Sequence, residues 1–382
     1  MESEKLEITE SSKSDQYITV CGKRFHYIWL RENCPNSRYP APYQQLYDAN
    51  ISTRPEKPKP LSILIKDEQL VIDWDENPSY RSIFDISWLL NCAYDPQPET
   101  ESESKNILWD KAWLKDHPPK QYNVHSLADE SCLNQLFNLG FVILENIASE
   151  KLESFLSSIG PLRNTDYGKS FHLKARESPS SNEGCTLPPH NDLSYWQGHR
   201  VAQFIYCVKH KAIGGESLLV DGFRAARDFR QHYPDFFQIL ADTPVKFWLL
   251  DHKHKYFFCN TASIFELDLS GNVSTVRFSQ RNCRPHLPFE QVDIFYQAYS
   301  KFFHYLKNPD YQYHFRLKPR DCLLFQNFRV LHGRTAFDST TGSRKLKSGY
   351  LDWDFFSGRQ NFKPFSVILS ADSSHKRVTP KL

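Results

Sequence analysis

The sequence predicts a mainly β fold with flanking helices, a sandwich or barrel, preceded by a small β-rich N-terminal domain. Three observations predict it. Short runs of β-branched and aromatic residues recur along the chain, no regular strand–helix–strand alternation orders them, and neither GxGxxG nor GxxxxGK[ST] occurs. A doubly wound nucleotide-binding sheet would need the alternation and one of those glycine motifs. At ~150 residues per domain, 382 residues leave room for two. With 28 Phe and 19 Tyr against one Met, the interior should be rigid and aromatic.

The elements follow in order. Ile18-Thr19-Val20 and Phe25 to Leu30 flank the turn Cys21-Gly22-Lys23 and read as a hairpin. Residues 35–60, rich in Pro and polar groups, read as loop. Leu61 to Ile65 and Leu70 to Trp74 form a second hairpin, and Ile83 to Leu90 a short helix. The stretch from Asp95 to Ser104 has few groups able to enter a core. The expected division is therefore a small domain over 1–94, a linker over 95–120, a large domain over 121–365 and a polar tail over 366–382. In the large domain, strands are expected at Phe141 to Leu144, Gln203 to Val208, Ser217 to Val220, Val245 to Leu250, Tyr313 to Leu317, Cys322 to Phe325 and Tyr350 to Phe356. One helix is expected from Pro288 to Leu306, because Val292, Phe295, Tyr299, Phe302 and Leu306 form a single apolar stripe with Pro288 at its first position.

Charge excludes several partner classes. The 47 basic and 45 acidic residues leave +2, so nothing points to nucleic acid or a membrane surface. No apolar stretch approaches the ~18 residues of a bilayer span. The N-terminus, Met1-Glu2-Ser3-Glu4-Lys5, is acidic and polar, unlike a secretory signal or a mitochondrial presequence. Nine cysteines, an odd number without CxxC, read as reduced thiols. A cytoplasmic protein is expected, as a monomer or a homodimer.

The chemistry concentrates in two segments. Leu187-Pro188-Pro189-His190-Asn191-Asp192 carries an HxD pair, which an extended strand presents on one face. Alone, HxD can equally be a hydrogen-bonded surface pair. Phe328-Arg329-Val330-Leu331-His332-Gly333-Arg334 adds a second His after an apolar strand, and Arg344 follows twelve residues on. Two His and one carboxylate make the facial triad of non-haem iron oxygenases. An Arg nearby can grip a carboxylate with two parallel hydrogen bonds.

With these segments the chain resembles the Fe(II)/2-oxoglutarate oxygenases of the taurine dioxygenase superfamily, and among them γ-butyrobetaine and trimethyllysine hydroxylases. Trp29-Leu30-Arg31-Glu32-Asn33-Cys34, Gly214-Gly215-Glu216-Ser217-Leu218-Leu219-Val220-Asp221-Gly222-Phe223, Asn327 to Arg334 and Tyr350-Leu351-Asp352-Trp353-Asp354 carry the resemblance. It implies a distorted double-stranded β-helix, or jelly roll, for the large domain. It also implies iron on His190, Asp192 and His332, and the distal carboxylate of 2-oxoglutarate on Arg344 and Ser217. O2 would be consumed, ascorbate would stimulate, and succinate and CO2 would leave.

Departures from the family pattern matter as much. A zinc-binding Cys cluster is reduced here to Cys34, with Asn36, Tyr39 and Pro78 at the other ligand positions, and one thiolate cannot make a tetrahedral site. No zinc is expected. Tyr167, Phe171 and Tyr350 match aromatic positions of a trimethylammonium cage, suited to cation–π contact, whereas Asn182 and Ser279 stand near two other substrate-contacting positions. These five residues are the expected substrate site. Asn and Ser oxygens accept hydrogen bonds, so a small amino acid or amino-acid-derived ammonium compound is expected, hydroxylated or else cyclised or desaturated. Hydroxylation of γ-butyrobetaine or trimethyllysine is the alternative. A non-catalytic metal-binding jelly roll or a metal hydrolase would leave Arg344 and Gly214 to Ser217 without a purpose. Asp251-His252-Lys253-His254-Lys255, His304 and His375 read as solvated or packed residues, not ligands.

Overall fold

The protein is described by a computed structural model covering residues 14–34, 38–40, 45–47, 55–77, 79–95, 106–123, 130–173, 185–252, 254–279 and 283–359. The chain divides into two compact units between Ser102 and Glu103. In the first, the strand Tyr17–Val20 pairs with Lys23–His26, and Pro60–Lys66, Gln69–Trp74 and Tyr80–Asp85 form a three-stranded meander. The meander's first turn, Asp67-Glu68, takes φ of 50° and 59°, the left-handed pair that matches strand twist in a two-residue hairpin. Ile18, Phe25, Leu30, Cys34, Leu70, Ile72, Trp74 and Phe84 are buried together. Inside this unit Arg31 binds Glu76 at 2.7 Å and lies 3.7 Å over the Tyr80 ring.

Two readings of this unit are corrected. Phe25 to Leu30 is not one strand, because the chain turns at His26 into a helix, Tyr27–Glu32. Its buried residues, Tyr27, Leu30 and Arg31, have helical spacing that the aromatic composition masked. Ile83 to Leu90 is half strand and half helix, divided at Asp85, whose carboxylate accepts from the Trp88 N–H as an N-cap. Of the positions weighed for zinc, Asn36 and Pro78 lie outside the described residues, as does the side chain of Tyr39.

The second unit is the jelly roll. The strands of its two main sheets are, in chain order, β1 (Gln121–Asn123), β2 (Phe141–Glu145), β3 (Phe171–Leu173), β4 (Leu187–His190), β5 (Val201–His210), β6 (Ser217–Asp221), β7 (Tyr313–Phe315), β8 (Cys322–Gln326), β9 (Val330–Arg334) and β10 (Arg344–Asp352). One sheet has the order β3-β10-β5-β8-β2-β1 and the other β4-β9-β6-β7. All pairs are antiparallel except β1 with β2. Alternation along each strand sorts the residues. Ile143, Ile205, Cys207, Leu219, Leu323, Phe325, Val330 and Leu346 fill one core, between the sheets. Their neighbours Val142, Leu144, Phe204, Leu218, Val220, Cys322, Leu324 and Leu351 join a larger core with the helices.

Between β6 and β7 lie α1 (Gly222–His232), α2 (Pro234–Asp242), a three-stranded sheet and α3 (Phe289–Lys307). In α3, Phe295, Ala298, Phe302 and Leu306 are the buried stripe, and Pro288 is the N-cap residue, not the first helical one. Three further differences stand out. Tyr350 to Phe356 is not a strand throughout, since β10 starts earlier, at Arg344, and a helix over 353–359 takes over after Asp352. Tyr313 to Leu317 forms only the three residues of β7. Residues 106–120, read as linker, include a fully buried Trp109 and a helix, Lys111–Asp116, within the jelly-roll unit. Among the described residues no helix is long and apolar enough to cross a membrane.

Candidate active site

The site arises where polar residues replace apolar ones on inward strand positions. On β9 the inward face reads Val330, His332, Arg334; on β6 Ser217, Leu219, Asp221; on β10 Arg344, Leu346, Ser348, Tyr350; on β5 Gln203, Ile205, Cys207. β4 is an edge strand, so the missing N–H groups of Pro188 and Pro189 break no central ladder. It pairs with β9 only at Leu187 and His190, which sets His190 opposite His332 with ring centroids 4.3 Å apart. Gly333 permits the approach, because a Cβ there would lie 2.4 Å from the Leu187 carbonyl oxygen.

One ligand atom each from His190, Asp192 and His332 lies within 4.8 Å of the others. His190 Nε2 is 3.5 Å from Asp192 Oδ1, and His332 Nε2 is 3.6 Å from Asp192 Oδ2. The Asp192 side chain is 30% exposed, so the cluster opens to solvent at the carboxylate. His190 Nδ1 lies 2.9 Å from the Pro188 carbonyl, which assigns the proton to Nδ1 and leaves Nε2 as the lone-pair donor. Burial, with His190 adjacent, pushes His332 down to about 3, so its imidazole is neutral. Burial opposes ionisation of Asp192, but the polar groups around it, the donating Gln203 amide among them, hold its carboxyl far below the ordinary range. Two imidazole nitrogens and an ionised carboxylate on an open cluster are the donor set of a non-haem iron site.

Sequence reasoning missed what supports the triad. Gln203 Nε2 and Tyr350 Oη donate to Asp192 Oδ2 at 2.8 and 2.9 Å. Asn327 accepts from the Asp192 N–H at 3.0 Å and donates to its carbonyl at 2.8 Å. Asn191, between the two ligands, donates to the Asn327 carbonyl and accepts from the Phe278 N–H.

Arg344 begins β10. Its Nε is buried without a hydrogen-bond partner, and burial with Arg334 and Arg316 nearby pushes the guanidinium down to about 10. A buried, under-satisfied cation among other cations calls for an anion. Gly215 makes room for it: with φ of 73°, any Cβ there would come within 3.0 Å of Arg344 Cδ and Nε. Ser217 is buried on β6, directly across from Arg334.

The aromatic residues form a series. Tyr167 packs on Phe171 at 4.8 Å between centroids, Phe171 on Tyr350 at 6.1 Å, and Tyr350 reaches Asp192. Ser279 follows Phe278, whose carbonyl accepts from the Asn191 N–H, and the Ser279 carbonyl accepts from Tyr299 Oη. Asn182 lies outside the described residues, as does His375. Asp251 and His254 pair at 2.6 Å in a hairpin turn, and His304 is exposed on α3.

The chain was compared with known proteins. A profile described as "Taurine catabolism dioxygenase TauD, TfdA family" matches residues 115–350. The gamma-butyrobetaine dioxygenase of Pseudomonas sp. (strain AK-1) is 29% identical over 343 residues, covering 86% of this chain and 88% of that one. The trimethyllysine dioxygenase of Meyerozyma guilliermondii is 27% identical, covering 88% and 90%. The mitochondrial trimethyllysine dioxygenase of Homo sapiens is 26% identical, covering 87% and 80%. A match across both jelly-roll sheets and the whole triad, with relatives aligned over nearly their full length, makes this chain a member of the TauD/TfdA family and an Fe(II)- and 2-oxoglutarate-dependent dioxygenase.

Proposed function

We propose that His190, Asp192 and His332 hold the iron, that Arg344 and Ser217 bind the distal carboxylate of 2-oxoglutarate, and that the substrate is a small amino acid or an amino-acid-derived ammonium compound. The observation that carries this reading is the convergence of the three ligand atoms within 4.8 Å beside an opening to solvent. The orphaned Nε of Arg344 supports the cosubstrate assignment. Relatives named for γ-butyrobetaine and trimethyllysine, both ammonium-bearing, support the substrate class, as do the ring faces of Tyr167 and Phe171.

Iron(II) with 2-oxoglutarate and O2 supplies the power to break an unactivated C–H, leaving succinate and CO2. The protein's work is to aim that power. The Pro188 carbonyl keeps the Nδ1 proton of His190, so Nε2 would be the atom offered to iron. Gln203 and Tyr350 occupy one carboxylate oxygen of Asp192, which limits how the carboxylate can swing. The Tyr350 hydroxyl keeps its proton, since burial and then the Asp192 charge raise its pKa well above the ordinary value. Arg344 fixes the cosubstrate's far end by charge and shape.

His332→Ala should abolish 2-oxoglutarate-dependent succinate formation, by more than 100-fold, while the protein stays folded by circular dichroism. Near wild-type turnover would refute the triad. Arg344→Ala should raise the 2-oxoglutarate concentration needed for half-maximal rate by at least 30-fold, in line with the ~2–5 kcal/mol lost when one partner of a buried charge pair is removed.

A further inference from the structure

Asp166 is a partly buried carboxylate with no cation paired to it among the described residues. Tyr195 Oη donates to Oδ1 at 3.4 Å, long for such a bond, and the Asp166 backbone N–H turns to its own carboxylate. The buried indole N–H of Trp196 faces the same carboxylate without reaching hydrogen-bond contact. Among the described residues no Lys, Arg or His pairs with Asp166, and the charge that acts on it is that of Asp251, a carboxylate paired with His254. Burial accordingly raises the Asp166 pKa. An ionised carboxylate accepts about four hydrogen bonds, and these contacts leave part of that capacity unused.

The position of this carboxylate gives it a use. It precedes Tyr167, the 51% exposed end of the ring series Tyr167–Phe171–Tyr350 that finishes on Asp192. Tyr195 lies between the two carboxylates. It packs with the Leu193, Val201 and Tyr350 cluster, donates to Asp166, and has its phenol pKa raised by burial and by Tyr167, Asp166 and Asp192. The aromatic series that ends on Asp192 thus runs beside a carboxylate with no paired cation among the described residues.

We propose that Asp166 is the counter-ion of the substrate's ammonium group, and that the site selects an ammonium retaining at least one N–H over a fully methylated one. This rests on the reading above that an ammonium substrate is oxidised at the triad. Aromatic faces attract any cation, methylated or not. A carboxylate also offers lone pairs, and only an N–H can satisfy them; a quaternary nitrogen presents methyl groups and leaves the Asp166 oxygens dry and unpaired. Losing one charge-assisted hydrogen bond corresponds to a factor on the order of 10 to 100 in affinity.

The test uses the full chain loaded with 2-oxoglutarate and Mn(II), which binds in place of iron without turnover, and a series differing only in nitrogen methylation, from γ-aminobutyrate through its mono- and dimethyl forms to γ-butyrobetaine, with lysine and trimethyllysine as a second pair. Calorimetric binding and, with Fe(II), succinate formation are read for each. The wild type should bind the N–H members at least 10-fold more tightly than the quaternary ones. Asp166→Asn should compress that ratio by about 10-fold, and Asp166→Glu, which keeps the charge, should restore most of it. A wild-type preference for the quaternary members, or a ratio unchanged in Asp166→Asn, overturns the role of Asp166 while leaving the oxygenase reading intact. If no member of either series raises succinate formation by the wild type, the ammonium-substrate reading fails, and the inference with it.

Discussion

Asn327 grips the backbone of Asp192 from both sides, substituting for a strand neighbour that β4 lacks once it passes His190. It is fully buried, so nothing replaces its two hydrogen bonds if it is cut back. Asn327→Ala should cost about 2–4 kcal/mol, the range expected when buried backbone groups lose their partners, and should weaken metal binding on the order of 10-fold by loosening the ligand carboxylate. Asn327→Asp keeps an oxygen for the Asp192 N–H but aims a buried carboxylate at the Asp192 carbonyl, so its loss should be at least as large. Urea midpoints and an anaerobic Fe(II) titration read both effects; unchanged values in the Ala variant would mean that β4 positions Asp192 unaided. His190, Asp192 and His332 were legible because an HxD pair and a later His have few other uses together. Asn327 was not, since its role depends on a register between segments 135 residues apart. Gln203 did leave a signal: it is the one polar residue in Val201-Ala202-Gln203-Phe204-Ile205-Tyr206-Cys207, on the same face as Ile205.

At the scale of the element, Arg329 and Asp221 tie three segments together. Both are fully buried: Arg329 Nη2 meets Asp221 Oδ2 at 2.9 Å, and the guanidinium also donates to Asn106 Oδ1 and to the Ile107 and Asn138 carbonyls. Asp221 accepts from the Trp109 N–H and caps α1 through the Phe223 N–H. This pair fastens the segment 106–109 to the end of β6 and to the start of β9, the strand bearing His332. Arg329→Met should destabilise the jelly-roll unit by ~3–5 kcal/mol, because it strands a buried carboxylate. Asp221→Asn added to it should restore part of the loss, whereas a pair of independent contacts would make the double variant worse. Denaturant unfolding decides between the two, and hydrogen exchange should show 106–116 opening first. Strand identity was legible where apolar residues ran together, as in β2, β5 and β8. It failed for β10, whose Lys345 and Lys347 alternate with Leu346 and Ser348. It failed again where a strand passes directly into a helix, at His26, Asp85 and Asp352, because the change of period falls inside a continuous aromatic run.

For the whole molecule, the start of the jelly-roll unit could not be read from composition. Residues 106–120 look like spacer, yet Trp109 is buried against Phe141 and its indole N–H donates to the Leu139 carbonyl. Isolated aromatics in polar sequence carry no periodicity to betray them. The stability of this unit should also depend on pH through a buried histidine that no motif marked. His199 is 3% exposed, and its Nδ1 accepts from Arg277 Nη2 at 2.9 Å. Burial, and then the charges of Arg277, Arg200 and Arg163, push it down to about 2. In the unfolded chain a histidine titrates near 6.5. Between those values the unfolded state binds the extra proton, so stability is undiminished above about pH 6.5 and falls below it by ~1.4 kcal/mol per pH unit. Carboxylates held low, Asp192 among them, add to the loss only below about pH 4. His199→Gln keeps an oxygen to accept from Arg277 and removes the titration. Its stability should therefore decline less than that of the wild type between pH 6.5 and 4, by about 3 kcal/mol, in urea unfolding followed across that range. Parallel curves for the two proteins would show that His199 protonates in the folded state, and that the basic cluster around it is open to water.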